Sequence, residues 1–219
     1  MKPKAFVAWS SGKDSAWALY ETQRQGDVEV VGILTTVSEA YSRVAMHGVR
    51  CSLLERQALA LGLGCLQVPI PSPCSNEIYE QRMGVAIAEL KKAGISRMIF
   101  GDLFLADIRA YRERQMEGTG IEAVFPLWLR DTRALANEMI DSGLVAHIAC
   151  LDPRHLDQSF AGRQLDRDCL AALPAAVDPC GENGEFHTVV TAGPMFNRPV
   201  ATERGETVER DGFVFTDFL

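Results

Sequence analysis

The strongest constraint on the fold lies in the first twenty-five residues. Ala5-Phe6-Val7-Ala8-Trp9 is an apolar run of strand length. It breaks into Ser10-Ser11-Gly12-Lys13-Asp14-Ser15 and continues as a helical pattern over 14–25, with Ala16, Leu19, Tyr20 and Gln23 at helical spacing and Gly26 closing it. A strand that turns through small residues straight into a helix is half of a β-α-β unit, and the chain then repeats the alternation. Strands are expected over 28–37, 65–70 and 97–101, and helices over 50–61 and 76–93. The second of these helices carries the stripe Tyr79, Met83, Ala86, Leu90 and Ala93, with Ser75 as its N-cap and Gly94 as its stop. Alternating strands and helices imply a parallel sheet covered on both faces. The expected class is therefore α/β, a doubly wound, Rossmann-like parallel sheet.

In such sheets ligands bind beyond the carboxyl ends of the strands. Three stretches converge there: Ser10 to Ser15 after the first strand, Thr35 in the second, and Gly101-Asp102 after the fourth. The second half of the chain has weaker periodicity. Residues 132–142 read as a helix, 144–150 as a strand, 152–174 as a broken helix, and 188–192 and 212–216 as strands. The pattern change divides the chain into a first domain, 1–127, and a smaller C-terminal α+β lobe, 128–219.

Composition narrows the function classes. Of 219 residues, 47% are hydrophobic and 23% charged, which suits a chain that buries a core and excludes a disordered one. A net charge of -7 and a pI near 5.2 argue against a broad nucleic-acid footprint. No apolar run approaches the roughly 18 residues of a membrane span. Met1-Lys2-Pro3-Lys4 leads into only a short apolar strand, without a signal peptide's apolar stretch or cleavage site, so the expected location is cytoplasmic. The six cysteines form no Cys-x-x-Cys pair and show no zinc spacing with the four histidines, as expected of reduced packing residues.

The bend after the first strand has the chemistry of an anion site. A helix N-terminus offers unpaired N–H groups and partial positive charge, Gly12 permits close backbone approach, Ser10, Ser11 and Ser15 add hydroxyls, and Lys13 adds a full charge. It is neither a Walker A loop nor a Gly-x-Gly-x-x-Gly turn. A second dense cluster runs from Asp178 to Thr188. Around the turn at Asn183-Gly184 it gathers Glu182, Asn183, Glu185 and His187 just before a strand.

Both clusters carry a family resemblance. Ser10-Ser11-Gly12-Lys13-Asp14-Ser15 resembles the PP-loop, Ser-Gly-Gly-Lys-Asp-Ser, of the ATP pyrophosphatases in the adenine nucleotide α-hydrolase-like superfamily, whose fold is Rossmann-like of the HUP type. Ser11 stands where the pattern usually has glycine. Gly181-Glu182-Asn183-Gly184-Glu185-Phe186-His187-Thr188 resembles the signature of the diphthine–ammonia ligase family within that group. Gly101-Asp102-Leu103, Pro126-Leu127-Trp128 and the segment from Leu156 to Arg163 extend the similarity to about residue 195. The chain departs from the family over 104–114 and in the flanks of His47, which keeps a family histidine.

The resemblance implies an ATP-dependent carbon–nitrogen ligase. ATP would adenylate an acceptor carboxylate, with release of pyrophosphate, and ammonia would then displace AMP. Ser10, Ser11, Gly12, Lys13, Asp14, Ser15, Thr35, His47, Gly101 and Asp102 are the expected nucleotide-binding residues. Lys13 would stabilise the leaving pyrophosphate, Glu182 or Glu185 would orient ammonia or take its proton, Asn183 would hold the acyl group, and His187 would act as an acid–base group. Arg109, Arg112 and Arg114 are further candidates for charge stabilisation. Magnesium is expected with the phosphates, with Asp14 as its support. The acceptor is a protein or small-molecule carboxylate, elongation factor 2 only in an archaeal or eukaryotic source, and a homodimer is compatible. Two alternatives remain: a PP-loop enzyme modifying tRNA, and a non-catalytic nucleotide-binding protein of the universal-stress type.

Overall fold

The structure is a computed structural model and describes residues 2–219. In chain order, β1 (Lys4–Ala8) turns into α1 (Lys13–Gln25), followed by β2 (Glu29–Ser38), the short β3 (Arg43–Val44), α2 (Cys51–Leu61), β4 (Gly64–Ile70), α3 (Asn76–Lys92), β5 (Ile95–Ile99), α4 (Ala106–Met116) and β6 (Glu122–Val124). The remainder comprises α5 (Thr132–Asp141), β7 (Val145–Leu151), α6 (Arg167–Ala172), β8 (Phe186–Ala192), β9 (Arg204–Arg210) and β10 (Phe213–Phe218).

β1 pairs in parallel with β2 on one side and β5 on the other. β4 adds in parallel to β2, and β6 to β5. β3 folds back antiparallel on the end of β2. The chain thus winds outward from β1 through β2 to β4, then returns to the other side of β1 to lay down β5 and β6. The winding reverses between β1 and β5, the switch point at which an α/β sheet opens a crevice.

Side-chain alternation along β1 shows why both faces are covered. Ala5 and Val7 enter one core with residues of α1 and α2, while Phe6 and Ala8 pack against a second core built on α3 and Met116. The second sheet is antiparallel, in the order β8-β7-β10-β9. The larger core passes from α1 and α2 through Leu135, Ala136 and Met139 of α5 into β7, β8 and β10, so both sheets share it. Among the described residues no helix is long and apolar enough to cross a membrane.

Three parts depart from the sequence expectation. The broken helix over 152–174 is mostly turn, with a 3-10 segment at Gln158–Phe160 before α6. Asp157 accepts from the N–H of Ser159, and Asp166 from that of Cys169, so each carboxylate starts a new short element instead of continuing one helix. α4 shows no apolar stripe because its only buried residue is Met116. β9 shows no alternation because, at the edge of its sheet, almost all of it is exposed.

Candidate functional site at the switch point

The bend between β1 and α1 lies at the reversal of winding. Ser11 holds a left-handed φ of 69°, a conformation that costs a non-glycine residue roughly 1–2 kcal/mol. Surrounding contacts hold it there: its carbonyl accepts the N–H of Val190 at 2.9 Å and the Nε2 of Gln57 at 3.2 Å. Gly12 is required by space. A Cβ would stand 2.9 Å from His47 Cε1 and 3.1 Å from the Thr188 carbonyl oxygen. Ser15 Oγ donates to the Gly12 carbonyl at 3.0 Å and lies 3.2 Å from Ser10 Oγ, which in turn accepts from the N–H of Gly12. No side chain caps α1, so the N–H groups of Asp14 and Ser15 in its first turn stay available to an anion.

Lys13 is buried beneath the loop that precedes β8. Its Nζ donates to the Cys180 carbonyl and to Asp14 Oδ2, the latter at 2.9 Å, and lies 5.4 Å from the centre of the Phe186 ring. Burial opposes its charge, but the carboxylate of Asp14, with Cys180 and Glu182, outweighs burial and raises its pKa. The backbone N–H of Lys13 donates to Thr188 Oγ1 at 3.1 Å. Asp14 Oδ1 is buried and has no partner. Gly101, at the end of β5, is needed for close packing: a Cβ there would meet the Asp14 carbonyl carbon at 2.7 Å and the Ser15 nitrogen at 2.8 Å.

The loop from Asp178 to His187 is shaped by two carboxylates. Asp178 accepts from the N–H groups of Cys180 and Glu182 and from the Thr132 hydroxyl. Glu185 accepts from the N–H of Asp178, the N–H of Asn183 and the Asn183 amide, at 2.9–3.0 Å. These bonds saturate Glu185 inside its own loop and tie Asn183 to it. Neither residue lines the cleft where the sequence placed both. Glu182 is turned inward, its Oε1 accepting from the N–H of Leu103 at 2.8 Å. Burial, joined by Asp14 and Asp102, raises its pKa to about 7 against the Leu103 hydrogen bond.

His47 and His187 face each other across the cleft, ring centres 4.7 Å apart and tilted by 37°. Nδ1 of His47 lies 3.0 Å from the Thr188 carbonyl oxygen. Burial lowers the pKa of His47 to about 4 and that of His187 to about 3, in the latter case with His47 and Lys13 adding to it. Both imidazoles are therefore neutral near pH 7.

A cavity of about 250 Å³ gathers Ser10, Lys13, Asp14, Ser15, His47, Gly101, Asp102, Glu182 and His187. Thr35, expected there, spends its hydroxyl on the Trp9 carbonyl at 2.8 Å and braces the end of β1 from within the core. A narrower slot of about 120 Å³, lined by Leu34, Met83, Ile87, Met98 and Met116 among others, joins the cavity. Ala8, Ser10, Phe100 and Arg112 line both. On the other side His187 also lines a groove of about 530 Å³, in which Arg43 and Arg50 both bind Asp217 and Phe213 and Phe215 contribute aromatic faces.

Sequence reasoning missed Gln57, the residue that joins the parts. Fully buried, it donates to the carbonyls of Ser11 and Val190 and accepts from Trp9 Nε1 at 3.0 Å. Its polarity hid it, although it stands three residues after Leu54 and four before Leu61, on the buried face of α2. Thr188 lay inside the second cluster, but only the fold shows that it contacts the first.

Fold and site together define a Rossmann-like α/β protein with an open helix N-terminus, a lysine and inward-turned carboxylates beyond the carboxyl ends of its central strands. Family models described as the diphthamide synthase N-terminal domain and the diphthamide synthase C-terminal domain match residues 3–123 and 131–215. The chain belongs to this diphthamide synthase, or diphthine–ammonia ligase, family. A diphthine–ammonia ligase of Danio rerio is 36% identical over 101 residues, 42% of this chain and 39% of that protein. One of Schizosaccharomyces pombe is 30% identical over 112 residues, 48% of this chain and 18% of that protein. The chain thus matches well under half the length of these curated relatives.

Proposed function

We propose that this protein is an ATP-dependent ligase that adenylates an acceptor carboxylate and then transfers ammonia to it; the relatives' name, diphthine–ammonia ligase, supports the ammonia-ligating part of this reading. One observation carries this reading: an uncapped helix N-terminus with Lys13 at the switch point stands in the same cavity as Glu182 and the neutral His47–His187 pair. We place the division between a nucleotide lobe and an acceptor lobe at 127/128. In this arrangement the apolar slot takes adenine, the bend Ser10–Ser15 takes the two terminal phosphates, and the acceptor approaches along the groove that ends at His187.

In the first step an acceptor carboxylate oxygen attacks the α-phosphorus. The bond to the β-phosphate bridging oxygen breaks, and its electrons leave with pyrophosphate. Lys13 and the first-turn N–H groups of α1 stabilise that leaving group. In the second step ammonia attacks the acyl carbon, AMP departs with the acyl–oxygen electrons, and Glu182 or His187 takes the proton from nitrogen.

Magnesium fits the residues present. Among the described residues the cavity sets Asp14, Asp102 and Glu182 against Lys13 and Arg112, so the nucleotide's phosphates need a countercharge. Asp14, with its buried unpartnered Oδ1, would hold it; when bound, the ion neutralises charge on the departing pyrophosphate.

The test is product analysis with ATP, magnesium, ammonium and diphthine-bearing elongation factor 2. AMP and pyrophosphate should appear in equal amounts, and Lys13→Ala should abolish both. ADP and inorganic phosphate as products would overturn the reading.

A further inference from the structure

The two sub-cavities of the nucleotide cleft meet at Arg112. Along α4, Arg109 turns outward, its guanidinium 4.8 Å from the Phe125 ring centre and 4.7 Å from that of Trp128, with Nε bound to Glu113 at 2.8 Å. Arg114 lines surface hollows away from the cleft. Arg112 turns inward over the Phe100 ring, 5.3 Å from its centre. Its nearest carboxylate oxygen, Asp102 Oδ2, is 4.0 Å away, beyond hydrogen-bond reach. Its Nε is buried and has no partner, an arrangement that costs stability unless a ligand supplies the acceptor.

A molecule that fills both the apolar slot and the phosphate cavity must pass the residues lining both: Ala8, Ser10, Phe100 and Arg112. Of these, only Ser10 and Arg112 carry polar side chains, and the Ser10 hydroxyl is engaged with Ser15 and the N–H of Gly12. With a base in the slot and the terminal phosphates at the bend, the ribose and the α-phosphate lie between them, and of these only the phosphate carries the negative charge that a guanidinium pairs with. We propose that Arg112 binds the α-phosphate of the nucleotide and neutralises its non-bridging oxygens while the bond to pyrophosphate breaks.

This proposal rests on the nucleotide reading and can be separated from it by binding nucleotide fragments. Adenosine lacks the α-phosphate, AMP carries it, and pyrophosphate replaces the terminal pair alone. Calorimetric titration of the full chain with each should show Arg112→Ala weakening AMP roughly 10- to 100-fold, the range for a charge-assisted hydrogen bond. Adenosine and pyrophosphate should bind as before. Arg112→Lys, which keeps the charge without the planar fork, should recover part of the loss. Arg109→Ala should leave all three unchanged. Lys13→Ala should weaken pyrophosphate and spare adenosine. Equal weakening of all three fragments by Arg112→Ala, or of none, overturns the role of Arg112 while leaving the nucleotide reading intact. Failure of the unmodified chain to bind any fragment sinks the reading itself.

Discussion

The backbone N–H of Val190 donates to the carbonyl oxygen of Ser11 at 2.9 Å. The edge strand β8 of the antiparallel sheet is thereby stitched to the bend of the parallel one. Gln57 doubles the link by donating to both carbonyls, Ser11 and Val190. The left-handed Ser11 and the position of Lys13 thus depend on a helix that never touches the cleft.

Gln57→Leu keeps the volume but leaves Trp9 Nε1 and two carbonyls with fewer partners in a dry interior. An unsatisfied buried group costs about 1–3 kcal/mol, so this variant should lose about 3 kcal/mol in urea unfolding. Pyrophosphate binding should weaken with it, because the bend loses its brace. Unchanged stability would show that the link carries no load.

Backbone space gives an opposed pair of outcomes. Ser11→Gly removes a strained φ and a buried hydroxyl without a partner, so it should be stabilising by up to about 1 kcal/mol, offset partly by glycine's greater unfolded freedom. Gly101→Ala drives a methyl against the backbone of Asp14 and Ser15 and should cost about 1–3 kcal/mol. Both are read from chemical denaturation midpoints.

The two glutamates of the signature should separate. Glu182→Gln should fold normally and slow ammonia transfer roughly 100-fold if Glu182 takes the proton. Glu185→Gln disrupts the bonds to Asp178 and Asn183, so it should appear first as protease sensitivity of the 178–187 loop. Equal effects from both would erase the distinction between a reacting and a shaping carboxylate.

The histidine pair sets an acid limit. Folded pKa values of about 4 for His47 and about 3 for His187 lie below the ordinary 6.5. The unfolded chain therefore binds more protons as pH falls below 6.5, and stability drops progressively toward pH 4 and 3. Glu182 opposes this. Its folded pKa of about 7 exceeds the ordinary 4.5, so its contribution is greatest below pH 4.5 and fades as pH rises to 7. Glu182→Gln should make the acid loss steeper. Urea midpoints between pH 5 and 8 measure both slopes, and histidine ring NMR shifts that stay constant over that range would confirm the neutral pair.

Strands β1, β2, β4 and β5 and helices α1 to α3 were legible because buried strands and striped helices write their periods into the sequence, while α4, with one buried residue, and the three-residue β6 write none. The switch-point location of Ser10–Ser15, Gly101 and Asp102 followed from strand ends alone. Thr35 was misplaced in the cleft because a strand-end threonine reads the same whether its hydroxyl faces a ligand or, as here, the Trp9 carbonyl. Glu185 and Asn183 look reactive in sequence, yet their polar atoms satisfy a tight loop. Gln57 was passed over for the opposite reason, as a polar helical residue buried by packing, and among the three candidate arginines of α4 only packing decides that Arg112 is the one that lines the cleft.

The account turns on where the phosphates sit and which one stays exposed. A crystal structure with magnesium and an ATP analogue blocked at the α,β-bridge measures this directly. The account predicts the β- and γ-phosphates on the first-turn N–H groups of α1 and on Lys13, with the α-phosphate facing Glu182 and His187. An analogue bound with its γ-phosphate toward those residues, or bound away from the bend, would contradict it.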